Sequence, residues 1–324
     1  LGSESIYHFL KKKIKKKFLF FDNINSENLQ IFKSKSNLKK ILFIIISKSG
    51  NTIETLSNLL SLGILKKRAK NLIIISEKNE NLLYLYSQKL NLFHIEHKTY
   101  IGGRFSVLSE VGMLPAYLMG LNINNIKKNL LNCLKSKNQN FLRESSIKMS
   151  YLLNKKIYKN IIFLNYVPKL NKFLYWNQQL IAESLGKKNK GFLPSISEAP
   201  KDHHSLLQLY LDGPKDKLFY IFSAETNDDE KIKMKKLDKK LNFLNNKSLD
   251  NIKIAQKNSF IQVLTKKNIP YREFKISKYD EETLGELFSY FMLETALIGH
   301  LSNINPFNQP AVEEVKVMTE KLLN

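Results

Sequence analysis

Short apolar, β-branched runs alternate with longer amphipathic stretches along this chain. Residues 18–21, 41–46, 72–75 and 92–95 read as strands, and their nearly continuous apolar character suits strands covered on both faces. Helical periodicity falls between them, notably over 52–62 and 105–118. The lysine- and asparagine-rich stretch 122–137 is only partly periodic and fits a helix, a linker or both. The pattern then restarts, with strands near 161–164, 218–222 and 272–276, and closing helices near 284–301 and 311–323. Such alternation predicts an α/β protein of two αβα sandwich domains with mainly parallel sheets, over 1–135 and 136–324.

Composition narrows the class. The chain has 324 residues, 43% of them apolar, enough to bury a core and to exclude wholesale disorder. No run of about 18 apolar residues and no secretory leader is visible, so a cytoplasmic protein without a membrane partner is expected. Cys133 is the only cysteine, which rules out an intrachain disulfide. A net charge of +23 would ordinarily raise nucleic acid as a partner. Only Arg68, Arg104, Arg143 and Arg272 are arginines among 52 basic residues, however, and base readers lean on arginine for bidentate and stacking contacts. The lysines read as solvated faces, with Lys11 to Lys17 the densest patch, and no nucleic-acid partner is expected.

The sharpest local feature is Ser47-Lys48-Ser49-Gly50-Asn51-Thr52, between a strand and a helix. A helix N-terminus offers unpaired N–H groups and the positive end of the helix dipole to an anion. Ser47, Ser49 and Thr52 add hydroxyls, and Gly50 permits close backbone approach. Read without that context, the string also serves as a plain helix cap. It is not a Walker loop, because no Gly-Lys-Ser/Thr follows at the required spacing. Farther on, Asp202, His203 and His204 invite a metal reading, but adjacent histidines are poorly placed to share one ion, and no metal is expected. A hydrolase reading from Ser205 lacks the small-residue turn around a nucleophile.

The string SKSGNTIET resembles the sugar isomerase (SIS) domain motif in the form found in the glucose-6-phosphate isomerase family. Three further segments carry the same resemblance: Gly102-Gly103-Arg104-Phe105-Ser106, Ser197 to Ser205, and Ile304 to Lys316. Lesser matches are Glu183-Ser184-Leu185-Gly186-Lys187, similar to a family helix lining the site, and Thr283 to Leu287. The resemblance implies reversible isomerisation of glucose 6-phosphate to fructose 6-phosphate through a cis-enediol, in glycolysis and gluconeogenesis, by a homodimer needing no cofactor. It assigns the substrate phosphate to Ser47, Lys48, Ser49, Thr52 and Gln309. Arg104 would stabilise the enediolate, an apt role because negative charge develops on substrate oxygens during proton abstraction. Glu198 becomes the base, its acidity adjusted by burial and neighbouring charge. Lys316 would act in ring opening and charge stabilisation. Pro310 predicts helix onset, with Gln309 to Lys316 on one helical face.

Two departures stand out. Where the family carries a ring-opening histidine, the chain aligns Leu249-Asp250-Asn251, which passes that step to His203, His204 or Lys316. Leu1-Gly2-Ser3 resembles the tail of a family loop that follows a strand, so an upstream segment is expected. Two alternatives accompany the main reading: a dual phosphoglucose and phosphomannose isomerase, and a non-catalytic SIS-type sugar-phosphate-binding protein.

Overall fold

The computed structural model describes residues 1–224, 230–233 and 239–323. The chain divides into two compact units, Leu1–Lys127 and Lys128–Asn324. The first runs α1 (Gly2–Leu10), α2 (Ser26–Lys35), β1 (Phe43–Ile46), α3 (Ile53–Leu62), β2 (Leu72–Ser76), α4 (Leu82–Lys89), β3 (Phe93–Glu96) and α5 (Glu110–Leu118), and α6 (Ile123–Lys128) ends it. Its three strands pair in parallel in the order β1-β2-β3, with Ile45 opposite Ile74 and Ile74 opposite His94. Phe43, Leu72 and Ile74 turn to one face and meet Leu59 and Leu62 of α3 and Leu83 of α4, all buried. Each such side chain removed from water contributes about 1.5–3 kcal/mol, which fixes the helices on the sheet.

The second unit runs α7 (Ser136–Lys155), β4 (Asn160–Asn165), α8 (Asn171–Leu185), β5 (Leu193–Glu198), α9 (Leu207–Asp212), β6 (Lys217–Ala224), α10 (Leu249–Lys266), β7 (Tyr271–Ile276), α11 (Glu281–Leu301) and α12 (Ala311–Leu323). Its sheet is parallel in the order β5-β4-β6-β7. On one face Ile162, Leu164, Phe219 and Ile221 pack on Phe260 and Leu264 of α10. On the other, the rings of Phe163 and Phe222 meet, and Phe222 in turn touches Phe291 of α11, which Phe173 of α8 also packs against. Residues 128–132 group with this unit because α11 holds them: Lys128 pairs with Glu282 at 2.8 Å, and Asn132 Nδ2 donates to Glu286 at 2.8 Å. The stretch 122–137 thus combines short helix, a 3-10 turn at Asn132–Leu134 and the start of α7.

Two local expectations are corrected, and one strand was unforeseen. Residues 18–21 pair with no strand among the described residues. Phe18 and Phe20, both half-buried, instead turn their rings to Tyr7 of α1 at 5.9 and 5.5 Å, so the apolar run packs on a helix without forming a ladder. The helix expected over 105–118 is broken into a 3-10 turn at Gly103–Leu108 and α5. Ser106 and Ser109 cause the break, because their hydroxyls donate to the carbonyls of Gly103 and Ser106 at 2.6 and 2.7 Å and compete with helical bonds. Strand β5 escaped the periodicity altogether. It is an edge strand whose Leu-Pro-Ser-Ile-Ser-Glu carries no apolar run, and its Pro194 is tolerated only because one side has no neighbour.

A buried ion pair ties β7 to α11. Arg272 binds Glu294 bidentately, both contacts at 2.6 Å, and its guanidinium lies 3.9 Å from the Tyr220 ring centre. Burial alone would push the Glu294 carboxyl up, but Arg272 overrides it and holds the group below the usual carboxylate range. Stability from this pair is therefore present above the ordinary carboxylate pKa and lost as pH falls through the depressed one. Arg272→Met should cost about 3–5 kcal/mol in urea unfolding by stranding the carboxylate, and adding Glu294→Met should recover much of that loss. Equal destabilisation by the single and double variants would contradict this account.

Candidate active site

In the first unit, β1 ends at Ile46 and the chain turns through Ser47 to Thr52 into α3. Gly50 N–H donates to the Ser47 carbonyl at 3.1 Å and closes the turn. Gly50 sits at φ 66°, the left-handed region, and a Cβ there would lie 1.7 Å from Asn81 Oδ1. That oxygen caps α4 by accepting from the Tyr84 N–H at 2.9 Å, so the glycine lets the loop seat against a working cap. Ser47 is buried and its hydroxyl lies 2.7 Å from that of Thr52. Ser49, Asn51 and Thr52 are exposed, and Thr52 precedes α3 without capping it through its side chain. Three hydroxyls thus gather at the start of α3, the arrangement that suits an oxyanion. Lys48 is turned elsewhere: its Nζ donates to the Thr99 carbonyl at 3.0 Å and lies 3.6 Å from Glu77.

Arg104 stands in the 3-10 turn, 2% exposed, with its guanidinium 5.4 Å from the Phe105 ring centre. The turn packs tightly on α5, since a Cβ on Gly112 would lie 1.9 Å from the Val107 carbonyl oxygen.

In the second unit, Glu198 ends β5 beside Asn165, its register partner on β4. Asn165 Nδ2 donates to Asn171 Oδ1 at 2.7 Å, and Asn171 Nδ2 donates to Glu198 Oε1 at 2.8 Å. Lys201 lies 3.4 Å from the other carboxylate oxygen. The Glu198 side chain is 51% exposed rather than buried as expected, a consequence of its place at the tip of an edge strand. Asp202 organises the following turn, accepting from Ser197 and Ser205 hydroxyls, both at 3.1 Å, and from the Glu198 N–H at 2.7 Å.

The two histidines part company. His203 stacks on Phe260, and its Nε2 lies 2.7 Å from the Tyr166 hydroxyl. Burial, with His204 adding to it, pushes the His203 imidazole down. His204 is exposed. A cavity of about 810 Å³ lies beside His203, lined by apolar side chains such as Leu207, Leu211 and Phe260 and by the polar Lys247, Asn251, Gln256 and Ser259. Among the described residues no group of three or more His, Cys, Asp or Glu is arranged to hold a metal ion, and no helix is long and apolar enough to cross a membrane.

The C-terminal segment is anchored at the opposite end of β5. In the α8–β5 turn, Lys187 Nζ donates to the Asn305 carbonyl at 2.6 Å, Lys188 to Asn303 at 3.0 Å and Lys190 to Ser302 at 3.1 Å. Gln309 is half-buried and precedes the helix, which begins at Ala311; it does not share a helical face with Lys316 as expected, because Pro310 lies in the turn before helix onset. Lys316 is exposed on α12. Glu183, in the last turn of α8, is half-buried and accepts from Gln179 Nε2 at 3.3 Å.

Sequence pattern alone missed two arrangements. One is the Asn165-Asn171-Glu198 chain of amides. The other is a buried histidine, His97, paired with Glu110. Neither leaves a local signal, because the partners are brought together by the ends of separate elements.

Comparison with known proteins gives a consistent result. The family profile described as "Phosphoglucose isomerase" matches residues 1–197. A glucose-6-phosphate isomerase of Methanocaldococcus jannaschii is 33% identical, with 100% of this chain and 81% of that protein aligned. One from Campylobacter jejuni is 30% identical, over 98% of this chain and 80% of the relative. Among solved structures, a hypothetical protein from Thermus thermophilus superposes with a TM-score of 0.88 at 25% identity, covering 99% of this chain and 80% of that one. A glucose-6-phosphate isomerase from Chlamydia trachomatis shares the fold, with a TM-score of 0.80 at 18% identity over 100% of this chain and 67% of the other.

Gly50→Ala should force the left-handed turn open and push Asn81 off its cap. The expected result is a lower thermal midpoint together with weaker binding of inorganic phosphate, read by titration calorimetry. Unchanged melting and unchanged phosphate affinity would refute the role given to this turn.

Proposed function

The chain belongs to the phosphoglucose isomerase family, and from that premise we infer that it interconverts glucose 6-phosphate and fructose 6-phosphate. The matched relatives reported above under a functional name are all glucose-6-phosphate isomerases, which favours neither the dual-specificity nor the sensing alternative. The local observation carrying the reading is the hydroxyl-lined turn at the start of α3, a ready holder for the phosphate common to both sugars. In the proposed mechanism Ser47, Ser49 and Thr52 fix that phosphate, with Gln309 as a further ligand. Lys48 is assigned a supporting part, since its ammonium already bonds Thr99.

A carboxylate removes the C2 proton, the electron pair moves to form a cis-enediol, and the same proton returns to C1. The transfer is redox-neutral overall and needs no redox cofactor, and in this proposal one carboxylate suffices to move the proton, with no metal. Arg104 stabilises negative charge on the enediolate oxygens, and Lys316 and the exposed His204 serve ring opening. The enzyme is proposed to work as a cytoplasmic homodimer.

Two carboxylates compete for the role of base. Glu198 is held by Asn171, but it stands at the C-terminal end of β5 and is half exposed. Glu183 lies near the end of α8, whose following turn is bonded to residues 302–305, the approach to Gln309 and Lys316. The length of β5, about 16 Å at the usual strand rise, separates Glu198 from that anchorage. We therefore place the base at Glu183, with Glu198 as the second candidate. In a coupled assay of fructose 6-phosphate conversion, Glu183→Gln should lower kcat by about 10²–10⁴-fold, whereas Glu198→Gln should cost less than about tenfold. The reverse order would return the base to Glu198.

A further inference from the structure

His97 is 1% exposed at the end of β3, where its backbone N–H donates to the Ser76 carbonyl at 2.8 Å. Its two ring nitrogens are both engaged. Nδ1 meets the Glu110 carboxylate at the start of α5, and Nε2 lies 3.1 Å from the Ile101 carbonyl. A carbonyl only accepts, so Nε2 carries a proton and donates it. Ile101 immediately precedes Gly102-Gly103-Arg104, and its own N–H donates to the Lys98 carbonyl at 3.0 Å, closing the loop on itself. Between those two anchors, the Thr99 carbonyl receives Lys48 Nζ from the hydroxyl-lined loop at 3.0 Å. One short loop thus joins three things: the imidazole, the turn bearing the arginine and the loop assigned to phosphate.

We propose that His97 and Glu110 are positioning residues, a clamp that holds the Arg104 turn in register with the phosphate loop. Neither is a catalytic residue in this assignment, and the inference rests on the isomerase reading above. Physically, two glycines before Arg104 leave the turn with little intrinsic stiffness, so its placement must come from outside. A buried imidazole pinned at both nitrogens supplies it: Glu110 sets the ring plane, and the ring sets the Ile101 carbonyl. A shift of about 1 Å in a charge-stabilising group is enough to cost on the order of 10²-fold in rate. The clamp should therefore act on turnover more than on phosphate affinity.

The test combines kinetics with amide hydrogen exchange in the full chain. His97→Leu should speed exchange over residues 99–105 and lower kcat at least tenfold, with KM for fructose 6-phosphate within about twofold of wild type. His97→Gln, whose amide can donate to the Ile101 carbonyl, should recover most of both; it also guards against simple misfolding of the leucine variant. In an Arg104→Lys background, His97→Leu should cost less than threefold, because its effect runs through Arg104. Unchanged exchange in His97→Leu, or the same fold-loss in both backgrounds, would overturn the proposal. If Arg104→Lys kept full activity, the arginine assignment would fail by itself, and with it the kinetic part of this proposal; the exchange data would still decide whether the clamp exists.

Discussion

The close seating of Gly50 against Asn81 is the constraint on which the first unit's site depends. A loop lined by hydroxyls holds an anion only if its backbone is rigid before the anion arrives. Here rigidity comes from interlocking rather than from the loop itself. The Leu83 N–H donates to the Gly50 carbonyl, the Glu77 N–H to the Lys48 carbonyl, and the Leu82 N–H to Asn51 Oδ1. Asn81 completes the lock by capping α4 with one side-chain atom and reaching the Glu77 carbonyl with another. The loops after β1 and β2 therefore form one bonded surface, and Lys48 extends it to the loop after β3.

The second unit solves a different problem, that of presenting side chains from both ends of one sheet. At the C-terminal ends of the strands, connections leave β4 and β6 in opposite directions, which opens a crevice between them. The amide chain from Asn165 through Asn171 to Glu198 runs at that end from the tip of β4 to the tip of the edge strand β5. At the other end, three lysines of the α8–β5 turn hold the carbonyls of residues 302–305. Carbonyls at the end of α11 are left without intrahelical donors, and lysine ammonium groups complement the negative end of the helix dipole. Some of the abundant lysine thus has local work, although most of it remains on solvated faces.

Scarcity of arginine makes its placement informative. Arg104 is buried in a glycine-flanked turn, and the half-buried Arg272 is stacked on Tyr220 and clasped by Glu294. A planar guanidinium can donate in parallel and stack at the same time, which an ammonium cannot. Two of the four arginines thus stand where that geometry is used, while Arg68 and Arg143 are exposed.

Much of this protein was legible in its sequence because the signals are local. Strands β2, β4 and β6 read as apolar runs because they are central and nearly all of their residues are buried, the edge strand β1 shows the same run, and the Ser47–Thr52 loop and the Gly-Gly-Arg turn could be located from residue type and flanking periodicity. What local pattern could not supply is partnership. Residues 18–21 form an apolar run like a strand's but pair with no strand among the described residues, and β5, with Pro194 and few apolar residues, became a strand because β4 offered an edge. In the same way the pattern around Glu198 says nothing of direction, whereas β5 sets it at the far end of the strand from the turn that bonds Ser302, Asn303 and Asn305. His97 and Glu110 are thirteen residues apart and ordinary as letters. Hydrophobic periodicity acts over a few residues and determined the elements; which side chains share a site depends on strand order and direction, and only the tertiary structure decided that.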